Sequence, residues 1–155
     1  MKTNLKNLIA LAIIGAVSLL GTVGTAQADN DISVVGADGY DLVAYQTEGK
    51  AMKGSGYHVT EHNGTTYAFA SKKNLKAFEK EPTKYLPQFC GYCAYGVSVG
   101  KKFVANPEVW RVEGGRLYFN LDQDIQKTWQ KDLADNIRKG RENWVDIRHK
   151  SPSEL

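Results

Sequence analysis

Apolar residues are spread unevenly along the chain. Residues 8–20 form one nearly unbroken apolar run, interrupted by Gly15 and Ser18, whereas later stretches alternate or recur with a period. In residues 57–70, two β-prone segments flank Asn63-Gly64, the pair most favoured for a two-residue hairpin turn. Such a turn sets His62 opposite Thr65, Thr60 opposite Tyr67 and His58 opposite Phe69. The pleat then places His58, Thr60, His62, Tyr67 and Phe69 on one face. Ser71 reads as an N-cap opening a helix with Leu75 and Phe78 inward, and Pro82 and Pro87 mark its end and a turn. A second hairpin is expected over residues 109–121, turning at Gly114-Gly115. Asp122 then caps a helical region carrying Ile125, Trp129, Leu133, Ile137 and Trp144, with a break expected at Gly140. Residues 40–45 read as a short ordered segment, and residues 91–100 fit no single pattern.

The two hairpin–helix stretches coincide at an offset of 51 residues. Asn63-Gly64 falls on Gly114-Gly115, Tyr67 on Tyr118, Ser71 on Asp122 and Phe78 on Trp129. The plain alternative to duplication is that any two ββα units share such a pattern. Either way the expected fold class is α+β: two small antiparallel hairpin–helix units packed as one domain, joined through residues 86–108.

The early apolar run changes the picture of what is being folded. Lys2 and Lys6, the apolar run and Thr25-Ala26-Gln27-Ala28 form the three parts of a secretory signal, with cleavage expected before Asp29. Thirteen residues fall short of the roughly 20 that a spanning helix needs. The expected domains are therefore a leader over residues 1–28 and one domain over 29–155 with its core at about 39–146. The expected location is the periplasm, with no stable membrane insertion after cleavage. Beyond the leader, 18 Lys and Arg face 17 Asp and Glu, a net charge of +1. Near neutrality and export together argue against a nucleic-acid partner. A domain of about 127 residues buries a core without needing staples.

The string Asn63-Gly64-Thr65-Thr66-Tyr67-Ala68-Phe69-Ala70-Ser71, followed by Asn74, Phe78, Pro82 and Tyr85, resembles the YHS domain. Tyr40-Asp41-Leu42-Val43-Ala44-Tyr45 and Gly91-Tyr92-Cys93-Ala94-Tyr95 resemble its exported bacterial branch. The resemblance implies kinship with soft-metal binders that use a Phe-Cys-Ser-x-x-Cys arrangement. Ala70 and Asn74 stand at those two thiol positions, so that metal site is not inherited. In the exported branch Cys93 corresponds to the usual single Cys and Gly is common at position 90, which makes Cys90 the departure to explain.

Cys90-Gly91-Tyr92-Cys93 is the sharpest chemical feature, and three roles fit it outside the cytoplasm. One is a soft-metal clamp, copper(I) above all, because soft ligands suit it. His58 and His62, on one hairpin face, are the candidate further ligands beside Cys90 and Cys93. The second is a thiol–disulfide couple, which requires a helix beginning at Cys90 to lower its thiol pKa. The third is a structural disulfide in a small-ligand module. Closing so short a loop stabilises by about 2 kcal/mol, against about 3 for fifteen residues. Tyr92 and Tyr95 flank the pair and are candidates to line an apolar pocket. His149 lies in a polar tail, and Met52 is isolated. Gly96-Val97-Ser98-Val99-Gly100 matches a nucleophile elbow in letters alone, since that motif needs a large parallel sheet. No complete catalytic constellation emerges, so the expected partner is a metal ion or small ligand rather than a substrate.

Overall fold

A computed structural model describes residues 35–155; the expected leader and its cleavage point lie outside the described residues. A left-handed turn at Gly36–Gly39 leads into the short helix α1 (Ala44–Thr47). Strands β1 (Ser55–His62) and β2 (Thr65–Phe69) form the first hairpin. Helices α2 (Lys72–Lys80) and α3 (Pro82–Tyr85) follow it. A second left-handed turn at Gln88–Gly91 leads into α4 (Ala94–Ser98). Strands β3 (Asn106–Glu113) and β4 (Arg116–Asn120) form the second hairpin, and α5 (Gln123–Lys131) and α6 (Leu133–Ile147) complete the domain. The architecture is thus α+β, with two separate two-stranded antiparallel sheets.

The structural repeat holds through both hairpins and the helix after each, while α3 and α6 differ in length, four residues against fifteen. β1 and β3, β2 and β4, and α2 and α5 all start and end 51 residues apart. Even the irregularities agree: Ser55 pairs with Phe69 across a bulge, and Asn106 pairs with Asn120 across the matching one. The bulge corrects one expected pair. His62 opposes Thr65 and Thr60 opposes Tyr67, but Phe69 faces Ser55 instead of His58, because three extra residues, 56–58, enter β1 between Ser55 and Val59. Ser71 and Asp122 cap their helices through Asn74 N and Ile125 N, as their side-chain oxygens require.

Gly140 does not break the final helix. The interruption falls at Asp132, between α5 and α6, and Gly140 lies buried inside α6. Its bare Cα admits the Phe89 ring: a Cβ there would meet Phe89 Cζ at 2.9 Å. The glycine that reads as a breaker is a docking point for a neighbouring aromatic.

Two apolar clusters hold the domain. Tyr40, Leu42, Tyr45, Phe69, Phe78 and Tyr85 build the first, which also takes Leu117 and Phe119 from β4. Tyr118, Trp129, Phe89 and Val97 anchor the second. β4 is buried on both faces, so its alternating side chains supply both clusters and lock the two units together. Tyr45 Oη donates to Pro107 O at 2.8 Å and Tyr40 Oη to Glu108 Oε1 at 2.6 Å, adding polar ties across the units.

Candidate functional site at the seam of the two units

Each unit opens with three consecutive residues in the left-handed region. In the first they are Ala37 (φ 51°), Asp38 (φ 51°) and Gly39 (φ 77°); in the second, Phe89 (φ 57°), Cys90 (φ 53°) and Gly91 (φ 82°). Each non-glycine residue held there costs about 1–2 kcal/mol, so packing must enforce both turns. Their hydrogen bonds repeat. Tyr40 N donates to Ala37 O at 2.9 Å and Tyr92 N to Phe89 O at 3.0 Å. Asp41 N donates to Met52 O at 2.8 Å and Cys93 N to Phe103 O at 3.0 Å. Matching antiparallel bridges join Tyr40 to Lys53 and Tyr92 to Val104. Cys90-Gly91-Tyr92-Cys93 is therefore the structural counterpart of Asp38-Gly39-Tyr40-Asp41, at an offset of 52. The hairpins and helices repeat at 51, so this segment is out of register with them by one residue.

The last residue of each segment points inward. Asp41, fully buried, accepts from Val43 N (2.9 Å) and Ala44 N (3.2 Å) on Oδ1, and from Ala70 N and Asn74 Nδ2 (2.8 Å each) on Oδ2. It thereby ties the turn, α1, β2 and α2 together. Cys93 is also buried. Its sulfur accepts from Gly96 N at 3.5 Å, capping α4, and lies 3.7 Å from Asn120 Oδ1. That same Asn120 oxygen accepts from Tyr95 N at 3.3 Å, while Asn120 Nδ2 is buried with no protein partner among the described residues.

The first cysteine of the segment behaves differently. Both cysteines are free thiols, but Cys90 is exposed and lines a cavity of about 520 Å³ at the seam. The first unit contributes Ala37, Asp38, His62 and Tyr67 to its wall, and the second contributes Cys90, Tyr92, Val104 and Phe119. Among the described residues that line it, Asp38, itself exposed, is the sole carboxylate and none is Lys or Arg. Among the described residues no ion pair engages Asp38. Lys53 Nζ donates to the Asp38 carbonyl (2.8 Å) and sits over the Tyr40 ring. Burial raises the Tyr67 phenol above its usual range. The Thr65 side chain opposes that rise, and the charge of Cys90 adds to it.

The sequence-derived residues thus separate. Cys90, His62 and Tyr92 share the cavity wall. The His62 ring also packs edge-on against Phe78, 6.0 Å between centroids. Cys93 is a buried cap, His58 sits half-buried in the bulged stretch of β1, and Tyr95 packs against the second cluster. None of these last three is on the wall. Among the described residues no group of three or more His, Cys, Asp or Glu side chains is placed to share a metal ion. Cys90 is not at a helix start: the turn separates it from α4, whose cap is Cys93. Ser98 lies in α4 and donates its hydroxyl to Tyr95 O at 2.7 Å, so the elbow-like string has no strand–turn–helix setting. His149 is exposed. Asp38, Asp41 and Asn120 went unread in the sequence; aligning the two Gly-Tyr pairs exposes the first two.

Residues 43–89 match the family model of the YHS domain. The match spans just under a third of the chain and ends one residue before Cys90, so it contains neither cysteine. No curated protein and no solved structure gives a match. Among the described residues no helix is long and apolar enough to cross a membrane.

Proposed function

We propose that this chain is a non-catalytic, exported binding domain of YHS type that works in the periplasm and holds a small ligand in the seam cavity. The supporting observation is the cavity itself. It is drug-sized, largely apolar, built from both units and bordered by a few convergent polar groups, the usual make-up of a ligand site. The left-handed geometry at Asp38 and Cys90 is the sort of local strain that collects at such sites. A neutral solvatochromic dye, Nile red, tests the proposal. One equivalent is expected to bind with enhanced emission, and alkylating Cys90 with N-ethylmaleimide is expected to abolish it. A Cys90→Ser variant serves as the control that maleimide leaves unaffected. Dye binding that survives alkylation of Cys90 sinks the proposal.

A second reading keeps copper(I) as the ligand. Cys90 and His62 on one wall are its support, because thiolate and imidazole are donors that copper accepts. Among the described residues no larger ligating group is formed, so such an ion would have few protein donors. Its test is a competition titration of reduced protein: Cys90→Ser loses affinity and Cys93→Ser keeps it. Equal loss in both variants would favour the cysteines acting as a pair. The thiol–disulfide alternative is less well supported, because the helix it needs does not begin at Cys90 and the second thiol is buried.

A further inference from the structure

Asp38 and Cys90 occupy the same position in two copies of one turn, and both line the same cavity. We infer that the cavity is a duplicated site in which Asp38 and Cys90 are equivalent ligand contacts. Asp38 makes the site selective for a small apolar molecule bearing a cationic amine, and Asp41 and Cys93 are buried side chains that hold the backbone following each turn. The inference rests on the cavity reading and names the ligand class it takes.

Three observations carry it. The turns agree in dihedral angles, in two backbone hydrogen bonds and in one bridge, so the residue at the second left-handed position is set by the fold to face the seam in both copies. The fourth residue is set inward in both, and its side chain accepts from the amide three residues on: Ala44 N for Asp41, Gly96 N for Cys93. The Cys-x-x-Cys spacing is thus the spacing of the turn, with one member on the wall and the other in the core. Finally, the wall carries one carboxylate and no Lys or Arg among the described residues. Asp38 is exposed at the rim of the cavity, so a ligand bearing a cation gains there a partly screened ion pair that a neutral ligand of the same shape does not.

Matched fragments test the assignment without requiring the natural ligand. Benzylamine and benzyl alcohol differ in charge but little in shape, and amide shifts in NMR titrations of the full chain report both affinities. Benzylamine is expected to bind about threefold or more tightly, the scale of a partly exposed ion pair. That preference should vanish in Asp38→Asn, which keeps the shape and tolerates positive φ, and persist in Cys93→Ser. Binding of both fragments without an amine preference overturns the role of Asp38 and leaves the cavity standing. Binding of neither removes the cavity and the inference together. A second measurement probes equivalence directly. Asp38→Cys places in the first turn the residue its counterpart already holds, and a short bis-maleimide should bridge positions 38 and 90 into one adduct by intact mass. Separate labelling of the two thiols without a bridge overturns the shared site, as does bridging of Cys90 to Cys93 in the native chain.

Discussion

The contrast between Asp41 and Cys93 shows how one position can carry different energetic weight in two copies of a fold. Asp41 satisfies three backbone amides and the Asn74 side chain, all near or within the core. Replacing it with Ala leaves several donors without a partner, each costing about 1–3 kcal/mol when buried. We expect Asp41→Ala to lose about 3 kcal/mol or more in urea unfolding. Cys93 caps with a single long contact to Gly96 N, so Cys93→Ala should cost about 1–2 kcal/mol, much of it from the small void left behind. Equal losses for the two would contradict the division drawn from their hydrogen bonds. Tyr67 supplies a spectroscopic check on the cavity. The charge of Cys90 contributes to its raised phenol pKa, so Cys90→Ser should move the phenolate absorbance transition downward in pH while leaving it above that of free tyrosine, because burial remains.

At the scale of elements, Gly140 separates propensity from packing. Helix propensity favours Ala over Gly by about 1 kcal/mol in a helix interior. Yet a Cβ at position 140 would meet the Phe89 ring at 2.9 and 3.2 Å, and that ring is held between Tyr118 and Trp144. Overpacking of this kind costs about 1–3 kcal/mol, so Gly140→Ala should lower the thermal midpoint despite the better helix former. A rise would mean that Phe89 moves freely. The same residue shows what could be read along the chain and what could not. Hairpin turns, caps and the helix face of Leu75 and Phe78 were legible because each depends on neighbours in sequence. The bulge that moved Phe69 from His58 to Ser55, and the aromatic that claimed Gly140, depend on partners dozens of residues away. The candidate site was half legible for a related reason. Cys90 and Cys93 stood out by spacing, but spacing does not say that a left-handed turn sends one to the wall and the other to the core.

For the whole molecule, duplication without independence is the governing feature. The units share register, bulge and turn, yet Leu117 and Phe119 of the second sit in the cluster that Leu42, Tyr45, Phe69 and Phe78 build in the first. The hydroxyls of Tyr40 and Tyr45 reach Glu108 and Pro107. A fragment of residues 35–86 would expose that cluster and lose the strand that completes it, and chains near 50 residues bury too little surface to compensate. The expected result is an unstructured fragment by circular dichroism; a folded fragment would contradict the dependence of the first cluster on β4. Alkali should probe the same junction in the intact chain. Burial raises Tyr45 well above 10.0, and the charges of Tyr40 and Glu108 add to the rise. The sign follows directly. A phenol with a raised pKa in the folded state stays protonated where the unfolded chain has released its proton, so its stabilisation is complete below pH 10 and falls as pH climbs above it. Urea midpoints should hold level towards pH 10 and decline beyond it. Tyr45→Phe should soften that decline while lowering the neutral-pH midpoint, because the hydrogen bond to Pro107 is lost. A decline unchanged by the substitution would place the alkaline weakness elsewhere than at the tie between the units.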